Sequence, residues 1–287
     1  MDTPETRVEA QDRRYMPGGL ATAGRRAEPG TLVLWLLAAL ALVYLVTPLV
    51  QLLIAEPWPQ VSAALADPQA LDATRVSAVT ATVTTALIAA CGIPLAYALA
   101  RWRFPLRPLV TGLIYAPLVF PAVVSGIAQL LVYGPYGPVG AFFAAHGVEL
   151  TDSLAGVVLA QTFVAAPFAV VAARSAFEAV DPQTEAVAQT LGASRWRVFW
   201  TISLPQAWGG ALAGLALTWL RAFGEFGATT VLAYHPYTLP VYVYVQLTGL
   251  GTPAALPLAL VALAACAVVI TIALLLARRS HMSGGLP

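Results

Sequence analysis

Lysine is absent from the 287 residues; all fifteen basic side chains are arginine. A chain this rich in alanine has no functional need to avoid lysine everywhere, so the absence is compositional bias. Charge of either sign is scarce. Only 10% of residues are charged, against roughly 25% in a soluble domain, while 59% are hydrophobic and the mean hydropathy is +0.77. That balance excludes an ordinary water-soluble fold and makes lipid the solvent. Cysteine is nearly missing too. Cys91 and Cys266 fall inside apolar runs with no CxxC spacing and no neighbouring histidine pair, which excludes a disulfide framework or a metal site and leaves them as small packing residues. Motifs of chemistry are also lacking. There is no GxxxxGK[ST] phosphate loop, no HExxH and no GxSxG, and His146, His235 and His281 all lie outside the apolar runs. An integral-membrane protease or transferase therefore has no nucleophile or metal set, and no catalytic residue, metal ligand or cofactor site is expected. A stand-alone channel would need a repeated filter or a charged ring, and a secondary transporter would show matching glycine-interrupted spans in its two halves; the chain has neither.

What is present is a set of long apolar runs. A membrane helix needs about 20 residues, and runs of that length cover 31–54, 76–100, 109–133, 154–177, 207–233 and 254–277. The first is too long for the apolar region of a signal peptide and lacks a small-residue cleavage site before Glu56. The expectation is an all-α integral membrane protein with six transmembrane helices and both termini on one side. Arginine picks the side. Arg13, Arg14, Arg25 and Arg26 precede the first run, Arg101, Arg103 and Arg107 separate the second from the third, Arg174, Arg195 and Arg197 lie between the fourth and fifth, and Arg278 and Arg279 follow the sixth. The alternate loops hold Arg75 alone. By the positive-inside rule both termini are cytoplasmic, and Trp58, Trp102 and Trp208 stand at span ends like belt residues. Residues 1–29, with charges of both signs, Pro4, Pro17 and the pair Gly18-Gly19, read as a flexible cytoplasmic tail; 30–279 is the transmembrane domain and 280–287 a second short tail.

Between the fourth and fifth runs, at about 178–206, the chain reads "DPQTEAVAQTLGASRWRVFWTISLP" from Asp181 to Pro205. Asp181-Pro182 is a helix start: proline suits the first helical position, and an acid suits the positive end of the helix dipole. Val187, Ala188 and Leu191 give an apolar stripe, Gly192-Ala193-Ser194 breaks it, and Trp196, Phe199 and Trp200 recur at three- and four-residue spacing, which points one aromatic edge in a common direction, before Pro205 ends the segment. An amphipathic segment lying on anionic lipid and a docking element for a cytoplasmic partner both fit this pattern.

The segment resembles the cytoplasmic-loop motif of ABC-importer permeases of the type I fold: EAA, three residues, G, nine residues, I, one residue, LP. Gly192, Ile202, Leu204 and Pro205 fall in register, whereas the motif's glutamate position is occupied by Ala186 and Glu185 stands one residue early. The resemblance implies that the loop forms coupling helices seated in a groove of an ATP-hydrolysing subunit, with Glu185, Ala186, Gly192, Trp196, Ile202, Leu204 and Pro205 as the coupling residues. It implies a homodimer working with two copies of a separate ATP-binding ABC subunit and an extracytoplasmic solute-binding protein, surrounded by membrane lipid in a bacterial inner membrane, with no nucleic-acid partner and no enzymatic activity of its own.

The fifth run contains "TWLRAFGEFGATTVLAYHP", residues 218–236. At about 1.5 Å per residue Arg221 comes close to the membrane centre, with Glu225 one turn further on. An ionised side chain there costs about 2.5 to 3.5 kcal/mol, so neither faces lipid. A self-satisfying pair that helps the bundle pack and a pair that braces the translocation gate both remain open. Gly224 and Gly227 are expected to let another backbone approach, and Gly210 with Gly214 forms a small-residue face that makes this run the candidate for a central dimer interface. Gln129 and Gln161 are further polar groups at span depth, more suited to bonding a neighbouring helix than a passing anion, and Pro117, Pro121 and Pro167 are expected to kink their helices. "RAFGEFGATTVLA" resembles the fifth-span motif of permeases for molybdate, tungstate and sulfate, and the stretch after it looks most like the molybdate and tungstate branch. Sulfate or thiosulfate, or another small solute such as ferric iron, is the alternative cargo.

Overall fold

A computed structural model describes residues 29–55 and 58–283, the side chains of 29 and 276–283 excepted. The described chain is helical, with no strand among the described residues. The expected tail at 1–29 lies, but for Pro29, outside them, as do residues 284–287 of the expected C-terminal tail.

Helix α1 (Pro29–Ala55) belongs to a unit of its own that ends at Leu53. Apolar residues run round every face of it, the pattern of a helix whose solvent is lipid. The second unit, from Ile54 onward, holds the remaining elements: α2 (Trp58–Ala66), α3 (Pro68–Arg101), α4 (Arg107–Val119), α5 (Ala122–Tyr133), α6 (Pro138–Ala145), α7 (Leu154–Ala179), α8 (Pro182–Thr190), α9 (Arg195–Val198), α10 (Leu204–Phe223), α11 (Gly227–Leu232), α12 (Leu239–Leu250) and α13 (Thr252–Ser283).

Its core is the packing of α3, α7 and α10. Asp67 caps α3, its Oδ1 accepting the Gln69 N–H at 3.1 Å, with Pro68 in the first turn where no N–H is needed. Small residues bring α7 and α10 together. A Cβ placed on Gly210 would lie 2.5 Å from the Ala176 Cβ, and one on Gly214 would lie 2.8 Å from the Ala172 Cβ. The small-residue face expected to serve a dimer interface is thus occupied by α7 of the same chain.

Among the described residues, four helices are long and apolar enough to cross a membrane: Gly30–Ala55, Pro68–Arg101, Leu154–Ala179 and Thr252–Leu275. A fifth is present if α4 and α5 count as one broken span, since they meet at a bend of 120°. The sequence read residues 109–133 as one crossing. The break falls at Phe120-Pro121, where proline lacks an N–H and pushes the preceding residue out of helical geometry; Phe120 has ψ 132°. The fifth expected run is also interrupted. α10 has 20 residues but carries Gln206 and Arg221, and the chain breaks over Gly224, Glu225 and Phe226 before α11. α13 continues to Ser283, so the expected tail from 280 begins as helix.

Candidate coupling site and gate

The segment after α7 folds as its residues dictate. Asp181 Oδ1 accepts the Gln183 N–H at 2.9 Å and caps α8, with Pro182 in its first turn. Gly192 ends the helix with φ +89°; its N–H donates to the Gln189 carbonyl and that of Ala193 to the Ala188 carbonyl, both at 3.0 Å. These are the paired bonds of a Schellman turn, which requires the left-handed conformation that glycine adopts without penalty. Around this turn the apolar residues point outward: Leu191 is 82% exposed and Val187 60%, and Ala186 is exposed beside them.

Glu185 faces the other way. Of the described residues of α8 it is the one that is buried. Arg101 Nε, at the end of α3, lies 3.0 Å from both of its carboxylate oxygens. Ser203 Oγ donates to Oε1 at 2.7 Å, and the Tyr97 hydroxyl reaches Oε2 at 3.4 Å. A second nitrogen of Arg101, Nη2, donates to the Val180 carbonyl at 2.8 Å, just past the end of α7. The ring of Tyr97 packs edge-on against Phe177 and Phe199, with centroids at 5.3 and 5.0 Å.

The aromatic run does not present one common edge. Phe199 is buried in that cluster, while Trp196 and Trp200 stay exposed with centroids 5.4 Å apart. α9 runs through a π-helical turn, Phe199–Ser203, directly into α10, with the Leu204 N–H bonded to the Phe199 carbonyl five residues back. The turn places Ser203 at Glu185. Pro205 therefore does not end the aromatic segment: it sits in the first turn of α10, directly after the π-helical turn and inside one continuous helical run. Ile202 and Leu204 are half-buried. A half-open cavity of about 400 Å³ lies between Pro94, Tyr97, Trp102, Arg195, Trp196 and Phe199.

At the break in the fifth run, Arg221 Nη1 pairs with Glu225 Oε2. Glu225 lies beyond the end of α10, yet its side chain reaches back to Arg221, while its other oxygen accepts the Ala228 N–H of α11 at 2.7 Å. Glu225 is 1% exposed and Arg221 about a third. Gly227 meets α5: a Cβ there would lie 2.6 Å from the Ala122 Cβ. Gly224 meets no second helix; the nearest atom to an added Cβ is the Leu220 carbonyl of its own helix, at 3.4 Å. The expected close approach holds for Gly227 and not for Gly224. Gln161 Oε1 accepts a bond from Thr84 of α3 at 3.2 Å, as expected for a group that bonds a neighbouring helix, and Gln129 has no partner among the described residues.

Residues 92–281 match the model of the family described as "Binding-protein-dependent transport system inner membrane component". The chain belongs to this family. Among its relatives, the probable molybdenum ABC transporter permease protein of Haloferax volcanii is 45% identical over 79% of this chain and 82% of its own. The molybdate/tungstate transport system permease protein WtpB of Thermococcus kodakarensis is 41% identical over 69% and 74%. The sulfate transport system permease protein CysW of a Synechocystis species is 34% identical over 80% and 87%. In fold, the chain is similar to one in the crystal structure of a bacterial alginate ABC transporter, with TM-score 0.67 and 18% identity over 85% of this chain and 94% of that one. The type I permease fold expected from the loop motif is thereby met, and the permease is a transport component rather than an enzyme.

Three polar residues around Glu185 escaped the sequence reading of this permease. In sequence Arg101 signals only topology, and nothing pairs it with Glu185, which stands 84 positions away. Tyr97 lies within the apolar run 76–100, where nothing in the sequence sets it apart. Ser203 fills the position between Ile202 and Leu204 that the motif leaves free, and its hydroxyl is no distinguishing signal, since Thr201 carries another in the same run.

Proposed function

We propose that this chain is the membrane-spanning subunit of an ATP-driven importer for an oxyanion, molybdate or tungstate foremost. It forms the translocation pathway as a homodimer, crosses a bacterial inner membrane six times with both termini cytoplasmic, and works with two copies of an ATPase subunit and an extracytoplasmic binding protein. The observation that carries the coupling role is the Gly192 turn, which holds Leu191 and Val187 out as an uncovered apolar tip. Exposed apolar residues at a rigid turn suit a protein groove. Closure of two ATPase subunits would then push α8 and α9 and, through them, the helices that carry the pathway. Ala186, Trp196 and the segment leading to Ile202, Leu204 and Pro205 complete the coupling surface, while Arg221, Gly224, Glu225 and Gly227 form the gate region where α10 breaks.

The names of the relatives that are 45% and 41% identical support molybdate or tungstate. The sulfate permease at 34% identity keeps sulfate as the second reading. The test is reconstitution of the permease with its ATPase and binding protein. Molybdate or tungstate should stimulate ATP hydrolysis at lower concentration than sulfate, and stimulation by ferric iron or sulfate alone would overturn the assignment.

A further inference from the structure

α8 is attached to the membrane domain in an unusual way for a helix. None of its side chains belongs to an apolar core cluster among the described residues, and its one buried side chain is a carboxylate. At one end the chain bends through Asp181-Pro182; at the other it turns through Gly192. Glu185 is therefore the anchor between the docking tip and the spans.

The carboxylate joins four elements. Arg101 and Tyr97 come from α3, Ser203 from the π-helical turn that opens α10, and Arg101 in turn grips the Val180 carbonyl next to the end of α7. Charge-assisted bonds are short and directional, so they fix distance and orientation between the helices they join. The guanidinium is about one-tenth exposed and Glu185 less, so the pair is screened far less than one on the surface.

Resting on the reading of α8 and α9 as the docking segment, we propose that Arg101, Ser203 and Tyr97 are positioning residues that hold Glu185 as a latch. The latch makes α8 one rigid body with α3, α7 and the start of α10. Glu185 transmits the push of the ATPase into the spans and does not itself touch the ATPase. This also accounts for the shifted motif: the exposed position beside the turn is Ala186, and the acid one residue earlier points inward.

The test uses the complete importer in proteoliposomes with Glu185→Gln, which keeps the size and removes the charge. Two quantities are read: molybdate carried per ATP hydrolysed, and hydrogen exchange of the amides of residues 186–190 by mass spectrometry. The latch requires that exchange in α8 rise severalfold while peptides of α3 and α7 keep wild-type protection, and that molybdate per ATP fall severalfold. Glu185→Asp, with the charge kept and one methylene lost, should recover part of both. Wild-type exchange in α8 of a folded Glu185→Gln protein overturns the latch whatever the transport ratio. Where Glu185→Gln does not accumulate, Ser203→Ala removes the shortest bond and leaves the ion pair, and the same two outcomes decide. Gly192→Trp separates this proposal from the docking reading. If it leaves ATPase association and transport intact, the docking role falls; if it disrupts them while Glu185→Gln is wild-type in both measurements, the latch alone falls.

Discussion

Gly227 at the start of α11 and Ala122 at the start of α5 meet so closely that a Cβ on the glycine would lie 2.6 Å from the alanine Cβ. Two helix beginnings, each following a break in an apolar run, are thus pressed together where the pathway is proposed to open. Gly224, three residues earlier, stands free of any second helix.

This contrast sets the first prediction. Gly227→Ala forces α5 and α11 apart, and overpacking of this kind costs about 1–3 kcal/mol. Gly224→Ala meets only ordinary contact at 3.4 Å and has φ −86°, which any residue adopts. Thermal unfolding of the purified protein in detergent should show a clear loss of Tm for Gly227→Ala and a small one for Gly224→Ala. Equal losses would contradict the close approach.

Arg221 and Glu225 carry the second. Removing one member of a buried pair leaves a charge without compensation and costs about 3–5 kcal/mol, whereas replacing both together removes the cost along with the gain. Arg221→Leu alone should therefore harm accumulation and uptake more than Arg221→Leu with Glu225→Gln. Glutamine also keeps an oxygen for the Ala228 N–H. Additive losses in the double-mutant cycle would show that the two act separately.

Gly192 supplies the third. An added side chain there meets nothing within 4 Å, so any penalty comes from the φ of +89° alone. Left-handed backbone costs an L residue about 1–2 kcal/mol, and asparagine tolerates it best. Uptake per ATP should fall in the order Gly192, Gly192→Asn, Gly192→Val, with the loop's orientation changed and the spans intact by circular dichroism. An inverted order would remove the turn from the coupling argument.

The sequence revealed most of this wherever one residue type has one local job. Asp181-Pro182 reads as a helix start and Gly192 as its end because capping and left-handed turns are decided within a few residues, and both are found so. Pairings over long separations were not legible. Glu185 with Arg101, Gly214 with Ala172 and Gly227 with Ala122 depend on how helices cross, which hydropathy does not encode. The same limit merged α4 and α5 into one span: hydropathy is continuous across Phe120-Pro121, and only backbone geometry shows that the chain turns there. Phe199 shares its helical spacing with Trp196 and Trp200, and only packing on Tyr97 and Phe177, from helices distant in sequence, turns it inward while the tryptophans stay exposed.

Leu191 offers the sharpest separation of docking from folding. It is 82% exposed, is the last residue before the glycine turn and makes no contribution to the core clusters, so Leu191→Asp should change stability by no more than about 0.5 kcal/mol. An aspartate buried against an apolar groove, by contrast, is an unpaired charge in an interface, and losses of 2 kcal/mol or more are usual when such a central contact fails, roughly thirtyfold in affinity. Co-purification of the ATPase subunit with Leu191→Asp should therefore drop steeply while the permease itself keeps its Tm. Val187→Asp, one turn earlier and 60% exposed, should do the same to a smaller degree. Full ATPase recovery with either variant would mean that the apolar tip meets lipid, and the segment would then be the surface-lying helix that its arginines and tryptophans also suit.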